Sequence, residues 1–384
     1  TLRFIWVPEN IGNAAFAATH PEIIDRMVCG INMDMVSQYL NENNATYFFL
    51  LTPDSLPHYL NDVVANFADF VGRTNTEGLD FRYSLPDPIV SLTGSRDNFR
   101  YKIVPFESGS DQYIYNDSGI GVPMVFFLVW PDAFYHSHQD NPDKCDPTTL
   151  KRGGFIAAAS AIFAGSASAQ EALPLTGEVL WRGLGRISGD MERSLNQLNS
   201  ASQTNLDQAY KEAVNIIEYS FLREKKTLQS IRELDPLSSN LQEHLVSTSE
   251  NLLAYKTNCL KNAAGHYAAI CERLGRSIQE ITLTAEEKAA DKIVYERNPE
   301  LKGPLGSAYL RKQLGPEADF SGLQLIQRGS LISYETLNFV DGQNSVLDIR
   351  NAVSAEYEPV PLNEVADFLA LLAEAGVIKQ TGNV

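Results

Sequence analysis

Four short apolar runs between Leu2 and about Leu150 limit the architectures open to this chain: "RFIWVP", "VCGINMDMV", "TYFFLLT" and "VPMVFFLVW". Each is too short for a packed helix and too continuous for a surface loop, so each reads as a buried strand. Helical patterns separate them. "SLPHYLNDVVANFADFVG" carries helical periodicity and opens with Ser55 as its expected cap. Alternation of this kind predicts an α/β layer structure with a largely buried sheet. Residues 148–166, "TTLKRGGFIAAASAIFAGS", are expected to close it as a helix packed on the sheet through small residues. A chain of 384 residues, 44% of them hydrophobic, is long enough for two or three cores, so a multidomain protein is expected.

The texture changes after about Asn196. Leu206, Tyr210, Ala213, Ile217, Phe221, Leu228 and Ile231 recur three to four residues apart; Pro236 and two serines interrupt, and Leu241, Leu245, Leu252, Cys259, Ala263 and Ile270 resume the pattern. This predicts an antiparallel helical hairpin, with His266 and the cysteines there assigned to packing faces. "NPELKGPLG" reads as a linker. Beyond it, "SLISYETLNFV", "VLDIRNAVSAEY" and "PLNEVADFLALLAEAGVI" suggest a small three-helix unit of winged-helix type, its last helix ended by Gly376. The expected domains are 1–170, 171–300 and 301–384.

Charge restricts the partners. With 48 acidic and 31 basic residues the formal net charge is -17, which repels phosphate backbones and anionic lipid. The segment from Ser321 onward lacks the basic footprint of a DNA reader, so a structural or protein-contact role is expected for it. Cys29, Cys145, Cys259 and Cys271 form no CxxC pair or finger-type spacing, which leaves the compartment open, with the cytoplasm weakly favoured. No window approaches the roughly 18 uninterrupted apolar residues of a spanning helix, so no membrane segment is expected. Thr1 leads straight into the run "LRFIWV", which reads as a start inside a domain.

In an α/β sheet, ligands gather beyond the carboxyl ends of the strands. Three polar positions meet that condition. Glu9 follows the first run in "WVPENIG", Asp34 lies within the apolar "GINMDMV", and "FYHSHQDNPDKCD" follows the last run. The last of these is either a polar surface turn or a ligand loop. A carboxylate inside a buried strand is costly unless paired or bound to a cation, which singles out Asp34. An imidazole, an aspartate and a glutamate meeting at one sheet edge would suit zinc, with a further carboxylate to take a proton from bound water.

"RFIWVPENIG", "INMDMV", "SGSDQYIYNDSGIGVPMV" and "YHSHQDNPDKCDP", in this order, resemble the second half of the catalytic domain of the zinc aminopeptidases related to glutamate carboxypeptidase and the transferrin receptor, metallopeptidase family twenty-eight. The helical segment, the "GPLG" linker and the winged-helix-like end resemble a bacterial branch of it. The resemblance implies the carboxyl-terminal part of a three-layer α/β/α zinc-peptidase domain, then the hairpin and the small terminal domain. It implies one or two zinc ions and hydrolysis of peptide substrates by metal-activated water. Glu9 falls at the general base, Asp34 at a terminal carboxylate ligand and His136 at the last histidine ligand. His138 falls where small polar residues are usual. Asp140 completes the motif and is expected to fix the loop; Asp111 matches a supporting position and Tyr113 one facing substrate.

Asn10 stands where the family has a second glutamate, and its amide is the poorer zinc donor. The family's first histidine ligand and its bridging aspartate precede the base by more than the eight residues present before Glu9. The expectation is therefore a hydrolase chain that alone binds zinc weakly and lacks turnover, with self-association through exposed sheet surface left open. The alternative is a noncatalytic peptidase-fold scaffold for protein–protein contacts.

Overall fold

The computed structural model describes residues 1–77, 89–318, 320 and 323–381. Its contacts divide the chain into two units, of mixed α/β architecture taken together. The first comprises Thr1–Asn116, Gly121–Leu175 and Ile231–Ser238; the second comprises Asp117–Ile120, Thr176–Ser230 and Ser239–Val384. No helix among the described residues is both long and apolar enough to cross a membrane.

The first unit is built on a four-stranded sheet in the order β1-β4-β2-β3. The strands are β1 (Gly30–Met33), β2 (Thr46–Leu50), β3 (Tyr101–Val104) and β4 (Met124–Trp130). β1 runs parallel to β4 and β2 parallel to β3, whereas β2 and β4 are antiparallel, with Phe49 opposite Phe127. The carboxyl ends of β1 and β4 therefore lie at one edge of the sheet. Around the sheet come α1 (Ile11–Thr19), α2 (Pro21–Ile24), α3 (Leu60–Gly72), α4 (Gln112–Tyr115) and α5 (Pro147–Ser166).

Buried aromatic rings hold the centre. Tyr47 and Phe49 stack at 4.9 Å between centroids, and Phe127 meets Phe49 edge-on at 4.8 Å. Burying a side chain of that size stabilises by about 1.5–3 kcal/mol before the entropy of ordering it. Val64 and Ala68 of α3 and Ile156 of α5 close the same core. Gly153 permits the approach of α5, because a β-carbon there would sit 2.1 Å from the Tyr47 hydroxyl.

Asp146 starts α5. Its Oδ1 accepts from the backbone N–H of Thr148 (3.0 Å) and of Ser95 (2.8 Å). Its Oδ2 accepts from the Thr149 N–H (3.2 Å), the Thr149 hydroxyl (2.8 Å) and the Ser95 hydroxyl (2.7 Å). One buried carboxylate thus serves both as helix cap and as tie to the 91–97 turn.

Three expectations need correction here. "RFIWVP" forms no strand: residues 1–7 have no regular structure, and Phe4 and Trp6 are 82% and 89% exposed. Hydrophobicity marks a strand only where a neighbour pairs its backbone, and none does here. Asp34 does not interrupt a buried strand; β1 ends at Met33, and Asp34 is half-buried one residue beyond, its N–H bonded to the Phe127 carbonyl at 3.2 Å. Ser55 does not cap a helix. Pro57 disfavours helical backbone at Leu56, and α3 starts at Leu60, whose N–H is received by His58 Nδ1 at 3.2 Å. His58 Nε2 in turn lies 3.0 Å from Glu233 Oε2.

In the second unit, α6 (Ala169–Asn199) contributes from Thr176 onward and is followed by α7 (Leu206–Ser230) and α8 (Ser239–Arg273). Asp207 near the start of α7 accepts from Tyr267 near the end of α8, while Phe221 meets Tyr255, so the two helices run antiparallel. Of the periodic residues, Leu206, Ala213, Ile217, Phe221 and Leu228 are buried on α7 and Leu241, Leu245, Leu252, Cys259, Ala263 and Ile270 on α8, whereas Tyr210 is half-buried and Ile231 falls after α7, in the first unit. His266 is instead half-buried, its Nε2 2.8 Å from Asn199 Oδ1.

Beyond the hairpin lie α9 (Ala285–Ala290), β5 (Tyr295–Arg297), α10 (Ser307–Leu314) and α11 (Gln324–Arg328). Then come α12 (Ser330–Asn338), α13 (Val346–Glu356), α14 (Leu362–Glu374) and β6 (Ile378–Gln380), which pairs antiparallel with β5. Gly376, at φ +70°, ends α14: its N–H bonds the Ala373 carbonyl and that of Val377 the Leu372 carbonyl. Arg350 of α13 and Glu212 of α7 form a buried ion pair.

Candidate functional site

Four segments of the first unit meet where β1 and β4 end. Asp34 directly follows β1. After β4 the chain turns at Asp132, whose Oδ1 accepts from the Phe134 N–H at 2.9 Å and whose Oδ2 accepts from the Gln38 amide at 3.3 Å, and reaches His136. Glu9 immediately precedes Asn10, the N-cap position of α1, and Asp111 itself occupies the N-cap position of α4. The Glu9 carboxyl, although largely open to solvent, has its pKa raised. Partial burial is the largest cause; repulsion from Asp34 and Asp111 adds to it, and His136 opposes it. A carboxyl with a raised pKa holds a proton more readily than an ordinary glutamate, which is the direction a proton acceptor needs.

The backbone around these residues is strained. Asn10 has φ 55° and ψ −66°, and the Ile11 N–H bonds the Glu9 carbonyl at 2.6 Å, which together make the rarer, non-inverse form of the γ-turn. Asp111 pins that turn, its Oδ1 accepting from the Asn10 N–H at 2.6 Å. Among the described residues, four non-glycine residues have positive φ: Asn10, Met35, Asn44 and His136. The first two follow Glu9 and Asp34, and the last is the candidate ligand itself. Such conformations cost about 1–3 kcal/mol each and persist only where their surroundings enforce them.

His136 is exposed, and its ring stacks on Tyr135 at 3.7 Å with 20° between planes; Trp130 meets Tyr135 edge-on at 5.1 Å. Asp34 Oδ2 accepts from the Ser110 hydroxyl at 2.9 Å. Ser110 is nearly fully buried and went unnoticed in the sequence, although it stands next to Asp111 in "GSD". Tyr113 is half-buried in α4. His138 and Asp140 are exposed. Asp140 contributes to the loop through its main-chain N–H, which donates to the Ser137 carbonyl at 3.2 Å, and the side-chain ties come from Asp132, the Ser137 hydroxyl on the Phe134 carbonyl (2.7 Å) and Asn141 receiving the Asp143 N–H (3.1 Å).

The donors for zinc are incomplete. Asp34 and His136 offer a carboxylate and an imidazole, which are suitable types. Asp111 Oδ1 is occupied by the Asn10 N–H, and among the described residues no three His, Cys, Asp or Glu side chains are placed to close on one ion. The residues present therefore do not fit a three-ligand zinc shell by themselves.

No protein-family model matches the chain, and no curated protein matches it. A solved structure from Clostridium acetobutylicum, described as a "putative peptidase", is similar at a TM-score of 0.25 and 12% sequence identity. The alignment covers 97% of this chain and 47% of that one, so the chain spans about half the length of that protein. A likeness this weak carries no weight for what the chain does.

Proposed function

We propose that the chain is part of a peptidase-like hydrolase in which Glu9 accepts the proton of the attacking water and delivers it to the leaving amine. One observation carries the proposal: Glu9 adjoins a strained turn pinned by Asp111, and Asp34, Asp111 and His136 are near enough for their charges to act on its carboxyl. Convergence of separated charged groups with enforced strain is how sites that move protons are built. The substrate class, a peptide, and the narrower assignment to a zinc aminopeptidase of the glutamate carboxypeptidase and transferrin receptor type come from the sequence motifs. In this proposal Asp34 and His136 offer two donors of the types that zinc takes, for one or two ions, and do not make a full shell by themselves. The winged-helix type suggested for residues 301–384 belongs to the same proposal, supported by α12, α13 and α14 and by β6, whose partner β5 lies just before that segment.

A noncatalytic scaffold is the second reading, favoured by Asn10, whose side chain makes no capping hydrogen bond and is a poor metal donor. Zinc content after dialysis and turnover of aminoacyl anilides, measured on the full natural protein, separate the two. The hydrolase reading expects turnover that is lost in Glu9→Gln and His136→Ala and kept in His138→Ala. Turnover unaffected by Glu9→Gln would overturn the role of Glu9, and a folded protein with neither zinc nor turnover would establish the scaffold.

A further inference from the structure

Behind Asp34 lies a chain of hydrogen bonds whose direction is set at every link. It begins at the Glu107 main-chain carbonyl, which can only accept, so the group of Gln112 facing it at 2.8 Å is the amide Nε2. Gln112 must then present Oε1 to Asn32 at 3.2 Å, and Asn32 must answer with Nδ2. The same Nδ2 reaches Ser110 Oγ at 2.9 Å. An amide nitrogen only donates, so Ser110 accepts there and has its single hydroxyl proton left for Asp34 Oδ2, at 2.9 Å. Gln112 is fully buried and Ser110 is 2% exposed, which keeps water from competing for these groups. Asn32 and Asp34 stand two residues apart, so they project to the same side of the extended chain.

We propose that Ser110 is a positioning residue for Asp34, and that Asn32 holds it to that task. Oδ2 is occupied by Ser110, and Oδ1 is the oxygen left to face the site. The carboxylate is thereby fixed in one orientation at a point where the next residue, Met35, has left-handed backbone and the strand no longer constrains it. The functional meaning of this rests on Asp34 serving the hydrolase site proposed above, whereas the orientation itself does not.

The experiment is structural and independent of turnover. Crystal structures of the 384-residue chain would be compared for wild type, Ser110→Ala, Ser110→Thr and Asn32→Asp, with thermal melting to establish that each variant folds. Asn32→Asp is nearly isosteric but puts an acceptor where the donor stood, so the Ser110 proton turns towards residue 32. In Ser110→Ala and Asn32→Asp the Asp34 carboxylate is expected to move by about 1 Å or divide between two rotamers, whereas Ser110→Thr, which keeps the hydroxyl, leaves it in place. An Asp34 that keeps its wild-type position in Asn32→Asp overturns the proposal, whatever becomes of Ser110→Ala. Loss or retention of turnover in Glu9→Gln bears only on the hydrolase assignment, so the two claims fail separately.

Discussion

Replacing Asp146 with alanine should loosen α5 more than loss of an ordinary cap does. A helix N-cap is worth about 0.5–2 kcal/mol. Asp146 also receives the Ser95 N–H, the Ser95 hydroxyl and the Thr149 hydroxyl while fully buried. Each buried donor stranded without an acceptor costs about 1–3 kcal/mol, part of it recovered by relaxation and by no longer burying a charge. The net expectation is about 3–5 kcal/mol, with Asp146→Asn lower because its amide retains one acceptor. Hydrogen exchange read by mass spectrometry on peptides from residues 147–166 reports this unit separately. At neutral pH their slowest amides should exchange about 10²–10⁴ times faster in Asp146→Ala.

The pH dependence has a fixed sign. Burial pushes the Asp146 pKa up, but the hydrogen bonds from Ser95, Thr148 and Thr149 outweigh it, so the folded-state value lies below the ordinary one. Its stabilisation is therefore complete above the unfolded pKa, near 4, and is lost only as pH falls through the lower folded value. The difference between wild type and Asp146→Ala should hold at neutral pH and shrink only in stronger acid. An increase in exchange of less than about tenfold at neutral pH would refute this account of the network.

Asn10→Gly should raise the melting temperature by a few degrees, since glycine enters the Asn10 conformation without the strain of about 1–3 kcal/mol and gives back only about 0.5–1 kcal/mol in chain entropy; an unchanged or lower melting point would mean the turn is not strained. Alkylation by iodoacetamide at pH 8, mapped by mass spectrometry, should label exposed Cys145 well before Cys29, whose thiol is pushed up to about 12 by burial and by the nearby Glu233 carboxylate; prompt labelling of Cys29 in folded protein would contradict that environment.

The parts of the fold written in local pattern were legible. β2 and β4 coincide with "TYFFLLT" and "VPMVFFLVW", and α5 begins within a residue of its expected start. β3 was missed because exposed Lys102 breaks its apolar run, leaving four residues with too little signal. "RFIWVP" misled for the opposite reason, since composition carries no information about whether a backbone partner exists. At the site, the rule that ligands gather at strand carboxyl ends pointed to Asp34 after β1 and to the histidine loop after β4, whereas Glu9 was singled out after a run that forms no strand. The support beneath them was not readable. Which hydroxyl reaches Asp34 depends on how the 107–112 loop lies across β1, and Met35 gives no hint of left-handed backbone because methionine rarely adopts it.

The aromatic contact at the histidine loop also determines how this protein can be watched in solution. Its three tryptophans, Trp6, Trp130 and Trp181, are 89%, 41% and 54% exposed. Their indoles already meet water in the native state, so unfolding changes their surroundings little and intrinsic fluorescence will follow denaturation poorly. The same exposure makes Trp130 a built-in optical probe. It sits edge-on to Tyr135, which stacks on His136, so a ligand that displaces the histidine should alter Trp130 emission while the rest of the protein stays optically quiet.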